Sequence, residues 1–326
     1  MTGWLAALRA AGVVPASYVP DSSVGRADRA DVAPAALVEG VAVGAHPIDP
    51  HGAGPPATCF VDGIQRWRVI GVQGVVPIVR AYVAAAARRR GADRRLVTVA
   101  DESREFVITR REGLTPPARQ ALEESGLDIV DLPAEDVGQP SRTLTAAHLR
   151  VDRAREAVER SLAEGCAAGL AGDEWLVVDG LLSDSESLAA HPRALGVIKS
   201  HGTQFFEGAD LERALTLPDR HRSSVFAPRS HAHRAVYSWY LRLWPWEGND
   251  LLYGLVRVEA RAAPETVARA SAVSGWLYAE RAPLATPDTR WDRLLYPIHD
   301  VETYLNARTP RDLLPPPASR LPRAAS

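Results

Sequence analysis

From Thr58 to about Arg111 the chain carries successive runs of β-branched and aromatic residues, and this stretch limits the fold more than any other. The runs Thr58-Cys59-Phe60-Val61-Asp62, Arg66-Trp67-Arg68-Val69-Ile70-Gly71-Val72 and Val75 to Val83 are broken only by Gly63 and Gly74. They predict three sequential strands arranged as a meander. Leu96-Val97-Thr98-Val99 and Glu105-Phe106-Val107-Ile108-Thr109 predict a further hairpin, and Pro116 to Ser125 a helix. The period then changes: Leu144, Ala147, Val151, Ala154, Val158 and Leu162 fall on one stripe, so a helix is expected from about Thr143 to Glu164. Two apolar strands follow, Trp175-Leu176-Val177-Val178-Asp179 and Ala194-Leu195-Gly196-Val197-Ile198-Lys199. A helix is expected at 208–217, strands at 234–244 and 251–259, and helices at 264–280 and 298–308. This order predicts a mixed α/β fold around one sheet, flanked by helices and without a linker cutting it.

Outside that body, residues 1–56 divide into a short helix at 3–11 and an arm rich in Pro, Gly, Asp and Ala, expected to wrap over the rest. The principal domain is expected at 57–308, and the Pro/Arg/Ser tail at 309–326 is expected to be disordered. With 326 residues and 46% hydrophobic content, the chain can bury a sizeable core. Its 38 basic and 40 acidic residues leave a net charge of -2, which argues against coating nucleic acid by bulk charge. Two cysteines, Cys59 and Cys166, make neither a disulfide scaffold nor a zinc spacing, so a reducing cytoplasm is expected. Met1-Thr2-Gly3-Trp4-Leu5 does not open a secretory signal, and no apolar run reaches membrane-spanning length.

One lysine, Lys199, stands among otherwise arginine cations. In a chain that uses arginine wherever it serves, a sole lysine is a candidate for chemistry needing a compact, movable ammonium. Phe60-Val61-Asp62-Gly63 and Val177-Val178-Asp179-Gly180 repeat one phrase, an apolar strand closed by Asp-Gly. A single Asp-Gly is ordinarily a turn. Two of them on apolar strands place Asp62 and Asp179 as carboxylates at strand ends, where mutual repulsion favours a divalent cation, Mg²⁺ or Mn²⁺ before zinc.

On the helix before Asp179, Glu159 lies about 80° from the apolar stripe and Glu156 about 140°, so Glu159 is better placed to look inward and Glu156 serves if the helix rolls. In Pro297-Ile298-His299-Asp300-Val301-Glu302, the proline suits a helix start. Glu302 shares the stripe of Ile298, Val301 and Leu305, which makes it a metal-ligand candidate or else a local ion pair with Arg293 or Arg308; His299 leans to solvent or a cleft. Arg88-Arg89-Arg90, Arg94-Arg95 and Arg220-His221-Arg222 are candidates to track phosphates, though such runs are more often solvated faces. A phosphate-binding glycine loop ending in Lys-Ser/Thr and a Gly-x-Ser-x-Gly elbow are both absent. So are an Asp-x-Glu opening at Asp62 and a Glu-x-Lys pair at Lys199.

In order and spacing, Phe60-Val61-Asp62-Gly63, Val177-Val178-Asp179-Gly180-Leu181-Leu182, Leu195-Gly196-Val197-Ile198-Lys199-Ser200, Leu255-Val256-Arg257-Val258-Glu259 and Leu295-Tyr296-Pro297-Ile298 resemble the NurA family over roughly residues 57–308. The family comprises metal-dependent DNA nucleases with an RNase H-like core that act with the hexameric HerA translocase on DNA ends. The resemblance implies Asp62 and Asp179 as metal ligands, Glu159 or Glu156 as the helical glutamate, and Lys199 as the lysine after the next strand. Glu302 fills the last position, where the family has Asp or His, and Ile64 stands where Ser commonly follows the first Asp-Gly. It further implies two Mn²⁺ or Mg²⁺ ions about 4 Å apart, with Lys199 holding a phosphate. A homodimer, a HerA-like partner and a role in DNA repair or antiphage defence are also implied. The alternative is a catalytically degenerate relative that docks on or regulates a translocase, an option raised by the substitution at Glu302.

Overall fold

A computed structural model describes residues 3–18, 31–52, 54–91, 93–133, 140–229, 235–283 and 291–314. In chain order, Gly3–Ala10 forms α1, followed by the short strands Val14–Tyr18 (β1), Asp31–Val32 (β2), Ala35–Leu37 (β3) and Ala45–Pro47 (β4). Thr58–Gln73 (β5), Val76–Arg90 (β6) and Leu96–Thr109 (β7) come next, then Pro116–Glu123 (α2), Asp128–Asp131 (β8), Pro140–Ala168 (α3) and Trp175–Asp179 (β9). The remainder is Glu186–Ala190 (α4), Ala194–Ile198 (β10), Thr203–Gln204 (β11), Gly208–Leu215 (α5), His221–Ser223 (β12), Phe226–Pro228 (β13), Val236–Arg242 (β14), Leu255–Arg261 (β15), Pro264–Ala279 (α6) and Tyr296–Arg308 (α7).

Among the described residues, thirteen strands join one mixed sheet, whose main path runs β3-β13-β14-β15-β10-β9-β5-β6-β7-β8. β5, β6 and β7 are antiparallel neighbours, whereas β9 lies parallel to β5 and β10 parallel to β9. Side-chain alternation sorts the centre of the sheet into two faces. Phe60, Ile64, Val177, Leu195 and Val197 pack with Trp276 and Leu277 of α6 and Ile298, Val301 and Leu305 of α7. Cys59, Val61, Leu176 and Val178 pack with Ala163 and Ala167 of α3 and Leu188 of α4 on the opposite face. Among the described residues, no helix is long and apolar enough to cross a membrane.

The mixed α/β sheet follows the sequence pattern, but the expected meander of strands at 58–62, 66–72 and 75–83 does not: the first two are one strand, and the antiparallel meander is β5-β6-β7. Gly63 does not end a strand: β5 runs 16 residues through it, because its ladder with β6 continues without a break from Thr58 to Val69. The predicted hairpin at 96–109 is one strand, and its polar middle, Asp101 to Arg104, is exposed because β8 pairs only with Phe106–Thr109. The helix expected at 143–164 extends over Pro140–Ala168. Residues 12–56 do more than wrap over the body: β1 pairs with β5, β3 with β13 and β4 with β12, so the arm supplies edge strands. The segment after α7 is likewise seated, with Leu313 buried, Arg68 donating to the Asp312 carbonyl and Arg80 paired with the Asp312 carboxylate. The predicted disorder of 315–326 concerns residues outside those described.

Candidate metal centre

β9 stops at Asp179 because the chain turns at Gly180, whose φ of +148° lies in the region that favours glycine. The Gly180 N–H donates to the Val178 and Val197 carbonyls, and the Gly180 carbonyl passes so close to Gly196 that a Cβ there would stand 2.5 Å from it. Beyond the turn, the Glu259 Oε2 atom accepts from the Leu182 and Ser183 N–H groups at 3.0 and 3.2 Å. The other oxygen of Glu259 receives Arg257 at 2.6 Å. A buried ion pair on β15 therefore fixes the loop that carries Asp179.

The parallel register Val61↔Val178 places Asp62 beside Asp179. β5 continues past this point while β9 ends, so Asp62 lies in mid-strand and not at the strand end expected from its Asp-Gly phrase. Asp62 alternates with Phe60 and Ile64, and Asp179 with Val177, so both carboxylates open on the face covered by α7. α7 packs there through Ile298, Val301 and Leu305 and brings in Glu302. One carboxylate oxygen each of Asp62, Asp179 and Glu302 lies within 4.8 Å of the others.

Asp62 is only 3% exposed. Its Oδ1 accepts from the Gly63 N–H at 2.7 Å, but its buried Oδ2 has no hydrogen-bond partner. Burial pushes its pKa well above the usual carboxylate range, and the charges of Asp179, Glu159 and Glu302 push it further, with Lys199 opposing. Lys199 Nζ lies 2.8 Å from Asp179 Oδ2. Burial works against its ammonium, yet Asp179, Asp62 and Glu302 together raise its pKa. An oxygen-only cluster with an orphaned buried oxygen has the chemistry of a site for a hard divalent cation.

Glu159 is buried as expected, but it approaches from α3 on the opposite face and stands apart from the three converging oxygens. Its Oε2 lies 3.0 Å from where a Cβ on Gly63 would be, so the glycine makes room for it, and Arg155 pairs with that same oxygen. Burial raises its pKa to about 7, Arg155 opposing and Asp179 and Glu156 adding to the rise. Glu156, with a side chain 57% exposed, pairs with Arg155 and stays outside the cluster. His299 Nδ1 lies 3.9 Å from Glu302 Oε2, beside the cluster.

Neither arginine named as an ion-pair partner for Glu302 takes that role: Arg293 pairs with Asp292 and donates to the Lys199 carbonyl, and Arg308 pairs with Asp101. The arginine runs are largely structural. Arg88 pairs with Asp300, Arg89 with Glu174, Arg90 with Glu280, and the buried Arg222 with Glu39. Sequence reasoning assigned no role to the Arg257–Glu259 brace. Its signal is present, because two opposite charges two residues apart must share one face of an otherwise apolar strand.

Fold and site define a mixed α/β protein with a three-carboxylate cluster that could hold a metal ion. Comparison with protein-family models gives no match, and comparison with curated proteins gives none either.

Proposed function

We propose that the protein is a metal-dependent DNA nuclease with an RNase H-like core, similar to the NurA family, hydrolysing phosphodiester bonds in the cytoplasm. The observation that carries this reading is the convergence of Asp62, Asp179 and Glu302 around an unpartnered buried oxygen, with Lys199 alongside. The RNase H-like assignment is supported by a three-stranded antiparallel meander whose first strand is followed, across a long helix, by two parallel neighbours. Both aspartates lie on the adjoining pair of strands.

In this reading Asp62, Asp179 and Glu302 hold Mn²⁺ or Mg²⁺, with Glu159 contributing negative field from the far face and the resemblance calling for two ions. A metal held by these residues would supply an activated water and neutralise charge on the phosphate. Lys199 turns its ammonium from Asp179 toward a phosphate oxygen and stabilises the charge that develops there. The Arg257–Glu259 brace keeps Asp179 in register, and Arg293 fixes the Lys199 backbone. A homodimer working with a HerA-like hexameric ATPase, in end processing or defence, accords with a net charge near zero, since delivery by a partner replaces strong intrinsic DNA binding.

A degenerate docking subunit is the second reading, favoured by the Lys199–Asp179 contact, which offsets part of the acidic charge internally. Cleavage of single- and double-stranded DNA with Mn²⁺, Mg²⁺ or EDTA, with and without the cognate ATPase, separates the two. Metal-dependent cleavage lost in Asp62→Asn and Asp179→Asn supports the nuclease. Cleavage undiminished in both variants overturns it, and ATPase binding without any cleavage selects the degenerate subunit.

A further inference from the structure

β5 continues past the end of β9, and the stretch left without β9 beside it lies next to the carboxylate cluster. On that edge β5 pairs with β9 through Val61 and with β1 only from Val69, so among the described residues Asp62 to Arg68 have no strand neighbour there. The result is a notch in the sheet that begins at the first aspartate. Arg66 lies in this notch, four residues beyond Asp62 and, by alternation, on the same face.

The arginines around Arg66 on β6 are neutralised: Arg80 pairs with Glu105 and Asp312, Arg88 with Asp300, and Arg90 with Glu280. Arg66 differs from them. Its Nη1 donates to the Gln65 carbonyl at 2.7 Å and its Nη2 to Asn306 Oδ1 at 2.5 Å, both uncharged acceptors. Among the described residues it makes no ion pair, and Glu302 is the carboxylate whose field it feels. Asn306 stands one helical turn after Glu302 on α7, so one helix both supplies an acid to the cluster and steers the guanidinium. A partly buried guanidinium held by neutral groups keeps its charge and part of its planar donor set for an anion.

We propose that Arg66 binds a DNA backbone phosphate flanking the scissile one, with Asn306 as its positioning residue. This rests on the nuclease reading and adds a substrate contact outside the metal cluster. The strand enters along the β5 notch, and Arg66 fixes its register so that the next phosphodiester faces Asp62, Asp179 and Glu302. Asn306 orients the guanidinium without cancelling its charge, which a carboxylate at that position would do.

The test uses the full chain and a fluorescein-labelled DNA oligonucleotide. Binding is followed by anisotropy in Ca²⁺ across a salt series, and cleavage kinetics are measured in Mn²⁺. Arg66→Ala should weaken binding about tenfold or more and lower the salt-dependence slope by about 0.7–0.9, raising KM more than it lowers kcat. Arg66→Lys should recover part of the affinity. Asn306→Asp keeps the acceptor but adds a charge, and should weaken DNA binding. Mn²⁺ affinity of the DNA-free protein and its melting temperature should stay at wild-type values in all three. Unchanged DNA affinity and KM in Arg66→Ala, with wild-type cleavage intact, overturn the proposal and leave the nuclease reading standing. A drop in melting temperature and metal affinity in Arg66→Ala, with Asn306→Asp like wild type, assigns Arg66 a structural role and also overturns it. Wild-type protein that neither binds nor cleaves DNA removes the nuclease reading and this proposal together.

Discussion

Lys199 Nζ and Asp179 Oδ2 stand 2.8 Å apart at the ends of two adjacent parallel strands, so the only lysine of the chain is spent on an acid of the carboxylate cluster. The contact holds a nearly buried ammonium within the field of Asp179, Asp62 and Glu302, where a planar guanidinium needs more room and a different donor geometry.

Lys199→Arg should therefore lower Mn²⁺-dependent DNA cleavage on the order of tenfold or more. Rates near wild type, with unchanged metal dependence, would return the lysine to an accident of composition.

Asp62→Asn should abolish cleavage and stabilise the metal-free protein. The buried Oδ2 has no partner, and the amide removes both its desolvation cost and repulsion from Asp179 and Glu302. Thermal unfolding in EDTA is the check: a higher melting temperature than wild type is expected. The gain should vanish in excess Mn²⁺, where only the wild type keeps its full ligand set.

At the third carboxylate, Glu302→Gln should raise the Mn²⁺ concentration that half-saturates cleavage, whereas His299→Ala should leave it unchanged. Glu302 contributes an oxygen to the cluster and His299 lies beside it. Metal titrations giving the opposite pattern would make the histidine the ligand.

Glu159 sets a pH dependence for the metal-free fold. Its pKa is raised from 4.5 to about 7, so the folded state holds this proton more tightly than the unfolded chain. The stability it contributes is complete below about pH 4.5 and is lost as pH rises through about 7, a change on the order of 3 kcal/mol. Glu159→Gln should remove that slope and leave the variant more stable than wild type above pH 7. Denaturant unfolding between pH 4.5 and 8 measures it, and parallel curves for the two proteins would contradict the assignment.

The succession of strands, the long amphipathic helix and the apolar strands that carry Asp62 and Asp179 were legible because each is written in local periodicity. So was the inward position of Glu302, since its neighbours Ile298, Val301 and Leu305 define a helical stripe. What local pattern could not supply was which glycine ends a strand. Gly180 does, with positive φ and a crossing at Gly196, whereas Gly63 continues β5 and clears space for Glu159. Nor does helical phase tell that Glu159, though inward-facing, reaches the sheet from the side away from Asp62, because face assignment depends on the long-range packing of α3 against β5. The polar centre of β7 resembled a turn for a similar reason: among the described residues, β8 pairs only with Phe106–Thr109 and leaves the stretch before Phe106 exposed.

The length of β5 bears on how the site behaves as a thermodynamic unit. The strand that carries Asp62 pairs with β6 along almost its whole length, as well as with β9 and β1, and it lies beneath both α3 and α7. A cation gripping Asp62 is thus tied to an interior strand of the sheet, the kind of element that opens late, and not to a loop that frays independently. Its binding energy then adds to the stability of the sheet, so a cation that engages this carboxylate should raise the melting temperature by an amount that grows with the logarithm of its concentration.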